Sequence, residues 1–489
     1  MNIKTNDRFW ITCGLGALAA SFTLFCLSTT YPPLDLWGYL TFGRLYWKGG
    51  SFPYQDVFAY VPTIKPWVYH EWLTGVVFYP LSIVAGAAGL QTLKYCLGLG
   101  TVALAYATAR RRGASQVAAT LFILMASLIL GRGFATVRAQ IFTFFFFALV
   151  LYILERVRLS NRWGGLMWLP LILVPWANFH GGFVAGLGLI VLYALGEALS
   201  GRPFWPYVLT LVAATLATLI NPYGWGYWSY LARALTMPRP EIREWLPIWQ
   251  AYHQGIYPLP SVLIFFALIL FSLFVMLRKE KWELTEILVL VVTLGLGIRS
   301  VRLIPFFVLA LGALLPPALK YYEDYFRLIL KSNALFSSAR RAFAWVLLVL
   351  SAVILVIFFT RAPFSLSISA ESSYYPVGAM RYLRSNHLSG KLLVYFDWSE
   401  FIIYYLYPHF RVAIDGRYET VYPPEVCQIY WDFTWARPNW KAFLEKYPPD
   451  FILWPKNREI TRLLTRDPAW RIVYSDKFCI LFESSSRKE

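Results

Sequence analysis

Charge is what this chain lacks most. Asp, Glu, Lys and Arg make up 15% of its 489 residues, against about 25% in an ordinary soluble protein, while 58% are hydrophobic. A single water-soluble globule is therefore excluded, because apolar runs close to the ~20 residues that cross a bilayer recur along the sequence. Cysteine is equally scarce. The five present have no metal-module spacing. Cys13, Cys26 and Cys96 lie in or beside apolar runs and read as packing residues. Cys427 and Cys479 sit in a polar tail, where pairing is left open. No repeat of fixed period is visible. Acids are outnumbered by bases, 27 to 45, giving a formal charge of +18. In a soluble chain that excess would suggest nucleic acid; here the membrane accounts for it, and no nucleic-acid partner is expected.

The bases are clustered, and clusters resist translocation, so they orient the helices. Arg110, Arg111 and Arg112 form one cluster, and Arg156, Arg158 and Arg162 another. Arg278, Lys279 and Lys281 form a third; Lys320, Arg327, Lys331, Arg340 and Arg341 form a fourth. All four are expected on the cytoplasmic side. Lys4 and Arg8 precede an apolar run that resembles a signal peptide, but 9–30 is long enough to span and reads as an uncleaved first helix. With the N-terminus inside, spans are predicted near 9–30, 90–109, 115–131, 141–155, 165–177, 182–199, 205–220, 260–277, 284–298, 303–319 and 343–360, about eleven in all. The apolar segment 70–89 would invert the Arg110 cluster if it crossed, so it is expected to lie along the membrane surface.

The predicted fold class is mainly α: a polytopic transmembrane bundle over 1–360, with outer loops at 31–89 and 221–258, followed by a small extracytoplasmic α/β domain over 361–489. In that tail, LLVYF, RVAID, DFILW and RIVYS read as strands, while PEVCQIYWDF and NREITRLLTR read as helices. The placement is a bacterial inner membrane, N-terminus cytoplasmic and tail outside.

This topology gathers polar residues at the outer boundary. Asp35 follows the first span and suits a general base acting on a hydroxyl, or an N-cap for the helix after Pro32 and Pro33. His70 and Glu71 begin the surface helix. Neighbouring helical residues point about 100° apart, so separate roles are expected rather than one shared ion. Asp56 reads as a turn residue. Arg132, Arg138, Arg299 and Arg302 suit a phosphate headgroup, or they pair with Glu71, Glu241 or Glu244. Gln140, Asn178, His180, Asn221 and Glu244 are candidate cavity-lining residues. In the tail, Asp397, Glu400, Asp415 and Arg417 fall near strand ends and read as salt-bridged. Tryptophan and tyrosine in the outer loops, as in WGYWSY, read as an interfacial belt.

The order DLW, HEWL, RAQIFTFFFFALVLYILE, WANFHGGFVAGL, NPYG, EWLP, RSVRLIPFF and AIDGRYE resembles bacterial multipass proteins of the glycosyltransferase C superfamily. That group includes protein O-mannosyltransferases, the aminoarabinose transferase of lipid A and oligosaccharyltransferases. The resemblance implies a polyprenyl-phosphate-linked sugar donor, a glycan, lipid or protein acceptor, surrounding membrane lipid, inversion at the sugar carbon, and an acid in the first outer loop corresponding to Asp35. Members commonly carry Asp-Glu or Asp-x-Asp in that loop. Here Asp-Leu-Trp stands alone, and 132–140 contains no acid, so a divalent metal is left open. The rival classes are a transporter or lipid flippase, and a noncatalytic assembly subunit.

Overall fold

The computed structural model describes residues 3–133, 136–237, 242–277, 283–319, 336–360, 366–370 and 375–486. Glu241, Arg278, Lys279, Lys281, Lys320, Arg327 and Lys331 lie outside the described residues, as do the side chains of Arg132, Arg340 and Arg341.

Two compact units emerge, each assembled from separate stretches of chain. One comprises Met1–Thr30, Gln91–Gly224 and Thr236–Ser367; the other comprises Tyr31–Leu90, Trp225–Leu235 and Ile368–Glu489.

The first unit is helical. Ile3–Cys26 packs along Phe336–Thr360 and against Gln116–Gly133, and Leu284–Arg299 packs on Ile304–Leu314 and Val184–Leu199. Each of the predicted spans falls on a helix, but among the described residues only five helices are long and apolar enough to cross a membrane, not eleven. They are Phe9–Cys26, Trp72–Arg111, Gln140–Ser160, Gly181–Leu199 and Leu259–Leu277. The shortfall is one of length. The run predicted at 165–177 becomes a 3₁₀ turn, Trp163–Met167, followed by a helix of 12 residues, Trp168–Phe179. At 1.5 Å per residue such a helix reaches about 18 Å, against a hydrocarbon core of about 30 Å. Apolar side chains face outward, as expected for contact with lipid. On Leu259–Leu277 the exposed large apolar side chains are Leu259, Leu263, Phe266, Leu270, Leu273, Phe274 and Leu277, which space as a helical stripe. The same environment corrects the cysteines: Cys96 is exposed, and Cys13 and Cys26 are half-buried.

Helical structure runs over Trp72–Arg111, where Gly86 (φ 57°, ψ −150°) forms a kink between two helices, a few residues before the expected junction of the segment 70–89 with the span 90–109. That left-handed φ suits a residue without Cβ. His70 and Glu71 precede this helix, in a turn.

Ion pairs mark both ends of the first unit. Arg112 pairs with Glu155 and with Glu286 at 2.6 Å, and Arg158 pairs with Glu155 at 3.0 Å and Glu283 at 2.7 Å. Arg138 and Arg302 both pair with Glu244. Arg138 precedes the helix Gln140–Ser160 and Glu155 lies near its far end. A helix of that length, roughly 30 Å, separates the two groups.

In the second unit, the tail forms a five-stranded sheet of β1 (Gly390–Val394), β2 (Phe410–Val412), β3 (Phe451–Pro455), β4 (Trp470–Ser475) and β5 (Cys479–Ser484), ordered β2-β1-β3-β5-β4. β1 runs parallel to β2 and β3; β5 runs antiparallel to β3 and β4. Every residue of β3 is buried, as its unbroken apolar run requires. The segment Tyr31–Leu90 completes this unit. Phe58 and Tyr60 exchange backbone hydrogen bonds with Val412 at 2.9 and 3.0 Å, so the loop covers the β2 edge. The helix Leu34–Gly49 lies against Phe396–Leu406, where the Trp37 ring meets Tyr375, Phe401, Tyr404 and Tyr405 with centroids 5.3–5.9 Å away. Each such aromatic pair contributes about 0.5–1.5 kcal/mol beyond burial. Cys427 and Cys479 are both buried thiols.

Candidate functional site

Asp35 lies in the first turn of Leu34–Gly49, whose N-cap residue is Pro33 with no side-chain cap. The capping role is therefore not the one Asp35 takes. Its charge still complements the helix N-terminus. One turn on, Tyr39 shares its face. Together with Tyr69, His70, Glu71, Glu400, Gly416 and Arg417, these two residues line a small cavity of about 50 Å³. All of the lining comes from the second unit.

His70 and Glu71 converge here: His70 Nε2 is 3.7 Å from Glu71 Oε1. The expected divergence assumed helical backbone, and the turn before Trp72 removes that constraint. On its other side, His70 Nδ1 is 3.1 Å from the Tyr230 hydroxyl, with the two rings stacked at 5.5 Å. Tyr230 comes from Trp225–Thr236, so the WGYWSY segment holds the imidazole instead of forming only a membrane belt.

Arg417 closes one wall. Its Nη1 donates to Asp56 Oδ1 at 2.5 Å, Nε to Asp415 Oδ1 at 2.8 Å, and Nη2 to Asp415 Oδ2 at 2.5 Å. Burial works against the guanidinium charge, but Asp415 and then Asp56 outweigh it and hold Arg417 firmly protonated. Asp56 also accepts the N–H groups of Phe58 and Ala59 at 3.2 and 2.8 Å, making it the expected turn residue and a salt-bridge partner together.

Glu400, expected as a salt-bridged strand-end acid, instead lies in the helix Phe396–Leu406 and, among the described residues, makes no ion pair. Its Oε2 accepts the Gly38 N–H at 3.0 Å, and a Cβ at position 38 would stand 2.5 Å from that oxygen. Glycine is what permits the approach. Burial first, then the charges of Asp35 and Asp415, push the Glu400 carboxyl well above the usual carboxylate range, against the pull of Arg417 and the Gly38 N–H. Burial and the neighbouring Glu71 and Glu400 likewise keep the Tyr69 phenol protonated. The cavity thus gathers carboxyls, an imidazole and phenols on one surface. The available signal was an acid inside the apolar helix DWSEFIIYYL.

The expected anion-binding set divides. Arg138 pairs with Glu244, Arg302 Nη1 stands 3.1 Å from Glu244 Oε2, and Arg302 Cζ lies 5.2 Å from the Trp245 ring centroid. Burial alone would raise the Glu244 carboxyl, but Arg138 and Arg302 bring it down to about 2. The Glu244 side chain is 40% exposed, so solvent screening trims the stability this represents. Arg299 is exposed and, among the described residues, makes no ion pair. Gln140 is buried, with its Oε1 unpartnered among the described residues.

The remaining candidates hold backbone. His180 Nδ1 accepts the Gly182 N–H at 2.8 Å and lies 2.8 Å from Thr143 Oγ1. Asn178 Nδ2 donates to the Val174 and Ile220 carbonyls. Asn221 spans its own turn from Thr218 to Tyr223. Among the described residues, no group of three or more His, Cys, Asp or Glu is arranged to hold a metal ion. The donor set does not fit one.

No protein-family model and no curated protein matches this sequence. Solved structures do. An archaeal oligosaccharyltransferase from Archaeoglobus fulgidus, in complex with an inhibitory peptide and a dolichol-phosphate, is similar over 98% of this chain and 74% of its own, with 11% identity and a TM-score of 0.62. An Archaeoglobus fulgidus oligosaccharyltransferase tethered to an acceptor peptide is similar over 97% and 74%, with 12% identity and a TM-score of 0.59. An arabinofuranosyltransferase from mycobacteria is similar over 98% of this chain and 40% of its own, with 13% identity and a TM-score of 0.56. The likeness is one of fold: the chain has the architecture of membrane-embedded glycosyltransferases of the C type. It does not single out the O-mannosyltransferase or aminoarabinose transferase branch.

Proposed function

We propose that this chain transfers a sugar from a polyprenyl-phosphate-type donor to a hydroxyl acceptor at the outer face of a bacterial inner membrane. The carrying observation is that Asp35, His70 and Glu71 line one cavity with Glu400. Fold alone hosts many chemistries, so the site must bear the weight. Asp35 takes the proton of the attacking hydroxyl while the new glycosidic C–O bond forms. The bond between the sugar carbon and the phosphate oxygen breaks, its electron pair leaves on the phosphate, and the carbon inverts. Glu71 and His70, tied to Tyr230, flank the base. Arg138 and Arg302 are the guanidiniums offered to the lipid phosphate, exchanging Glu244 for it; Arg299 and Arg132 belong to the same basic set.

The test uses full-length protein in lipid nanodiscs, supplied with radiolabelled lipid-linked sugars extracted from the source membranes. Asp35→Asn is expected to lower transfer at least about 100-fold, the usual range for removing a general base, while the protein still elutes as a single folded species. Undiminished transfer by that variant rules out Asp35 as the base.

A further inference from the structure

Two tyrosines of one helix hold His70 at two points. Trp225–Thr236 brings Tyr227 and Tyr230, three residues apart and both buried, to one face with their rings stacked at 6.3 Å. The Tyr227 hydroxyl donates to the His70 backbone carbonyl at 3.4 Å, and the Tyr230 hydroxyl stands 3.1 Å from His70 Nδ1 with its ring stacked on the imidazole. With one ring nitrogen taken, the other has a fixed direction. Nε2 faces Glu71 Oε1 at 3.7 Å, and both residues line the cavity.

A neutral imidazole carries one N–H, and its two possible placements are not equivalent here. On Nδ1 the proton would go to the Tyr230 oxygen, leaving the Nε2 lone pair opposite a Glu71 carboxylate oxygen, acceptor against acceptor. On Nε2 it points at Glu71, and the Tyr230 O–H donates to Nδ1, so every group has its complement. The hydrogen bond made by one ring nitrogen sets which of the two is protonated, and a neutral imidazole can serve a site as a donor. The cavity, about 50 Å³, has room for a few waters or a single hydroxyl-bearing group and not for a sugar ring. Its wall therefore acts through individual hydrogen bonds, and the nitrogen that bears the proton decides what His70 offers there.

We propose that Tyr230 is a positioning residue that locks His70 in the tautomer protonated at Nε2, and that the imidazole thereby steers the Glu71 carboxylate as a donor instead of acting as a second base beside Asp35. This rests on the glycosyltransferase function proposed above and divides its labour: the proton of the attacking hydroxyl goes to Asp35, and His70 takes none.

The full chain in nanodiscs, with nitrogen-15 in its five histidines, is read by ring-nitrogen NMR at alkaline pH, where imidazoles are neutral. His70→Gln identifies the His70 signals by their loss. Wild type should show a pyrrole-type Nε2 and a pyridine-type Nδ1 with no averaging between them. Tyr230→Phe keeps an aromatic ring for the stack and should move both signals toward the averaged positions of a free imidazole, while Tyr227→Phe, which removes the bond to the backbone carbonyl, should leave them in place. A pyrrole-type Nδ1 in wild type, or signals that Tyr230→Phe does not move, overturns the proposal. In the radiolabelled transfer assay Tyr230→Phe should lower kcat about tenfold with KM unchanged, equivalent to about 1.4 kcal/mol for one hydrogen bond; an unchanged kcat with the lock broken overturns it as well. Locked signals in a wild-type protein that transfers no sugar would instead count against the transferase function.

Discussion

Two glutamates in two units face buried charge in opposite ways. In the first unit, Glu244 is met by two guanidiniums that bring its carboxyl down to about 2; in the second, Glu400 sits among other acids, and burial with their charges pushes its carboxyl upward. Glu155, between Arg112 and Arg158, follows the first pattern. Paired charges tie helices together, and desolvating them is tolerated because each acid has its cation. An acid whose carboxyl is pushed up at a cavity wall is a candidate for chemistry and not for pairing. The reactive surface proposed above accordingly lies in the unit of Tyr31–Leu90, Trp225–Leu235 and Ile368–Glu489.

The comparison breaks first at Arg417. Arg417→Met leaves Asp415 and Asp56 buried without their cation and should destabilise the second unit by about 3–5 kcal/mol, read as loss of protection of β1 and β3 in hydrogen exchange; full protection would mean the pairing is dispensable. Gly38→Ala should come next. Its Cβ would crowd Glu400 Oε2 at 2.5 Å, costing about 1–3 kcal/mol as an overpacked site, measured by thermal unfolding, and displacing the carboxyl from the cavity. The two glutamates should then show opposite pH slopes. Glu400 binds its proton more tightly when folded, so its contribution is present below the ordinary carboxylate range and is lost as pH rises toward its raised native value. Glu244, lowered to about 2, contributes above the ordinary range and loses that as pH falls toward about 2. Exchange rates in Phe396–Leu406 and around Arg243–Trp245, followed against pH, check both signs. The smallest effect belongs to Glu244→Gln, about 0–1 kcal/mol on unfolding because the pair is solvent-screened. A larger loss would make this pair a structural clamp like that of Glu155.

Much of the architecture is legible in the sequence because it is written locally. Apolar periodicity places the helices, and short β-rich runs place four strands of the tail. β5, CILFES, escaped because its apolar run is brief and follows directly on RIVYS. Length misled the span count, since a 3₁₀ turn such as Trp163–Met167 is continuous in hydropathy with the helix beside it. Asp35, His70 and Glu71 were visible as acids and imidazole at the expected boundary. Glu400 and Arg417 were seen only as strand-end charges, and for Arg417 with Asp415 that salt bridge is present. Their approach to Gly38 and Asp56 spans separations of 362 and 361 residues, which no local pattern encodes.

That separation also sets an order of events during synthesis. Asp35 leaves the ribosome hundreds of residues before Glu400, and the β2 edge that receives the first loop forms later still. A nascent chain that has reached only Thr360 therefore holds an unfinished cavity, with Glu400, Gly416 and Arg417 still to be added.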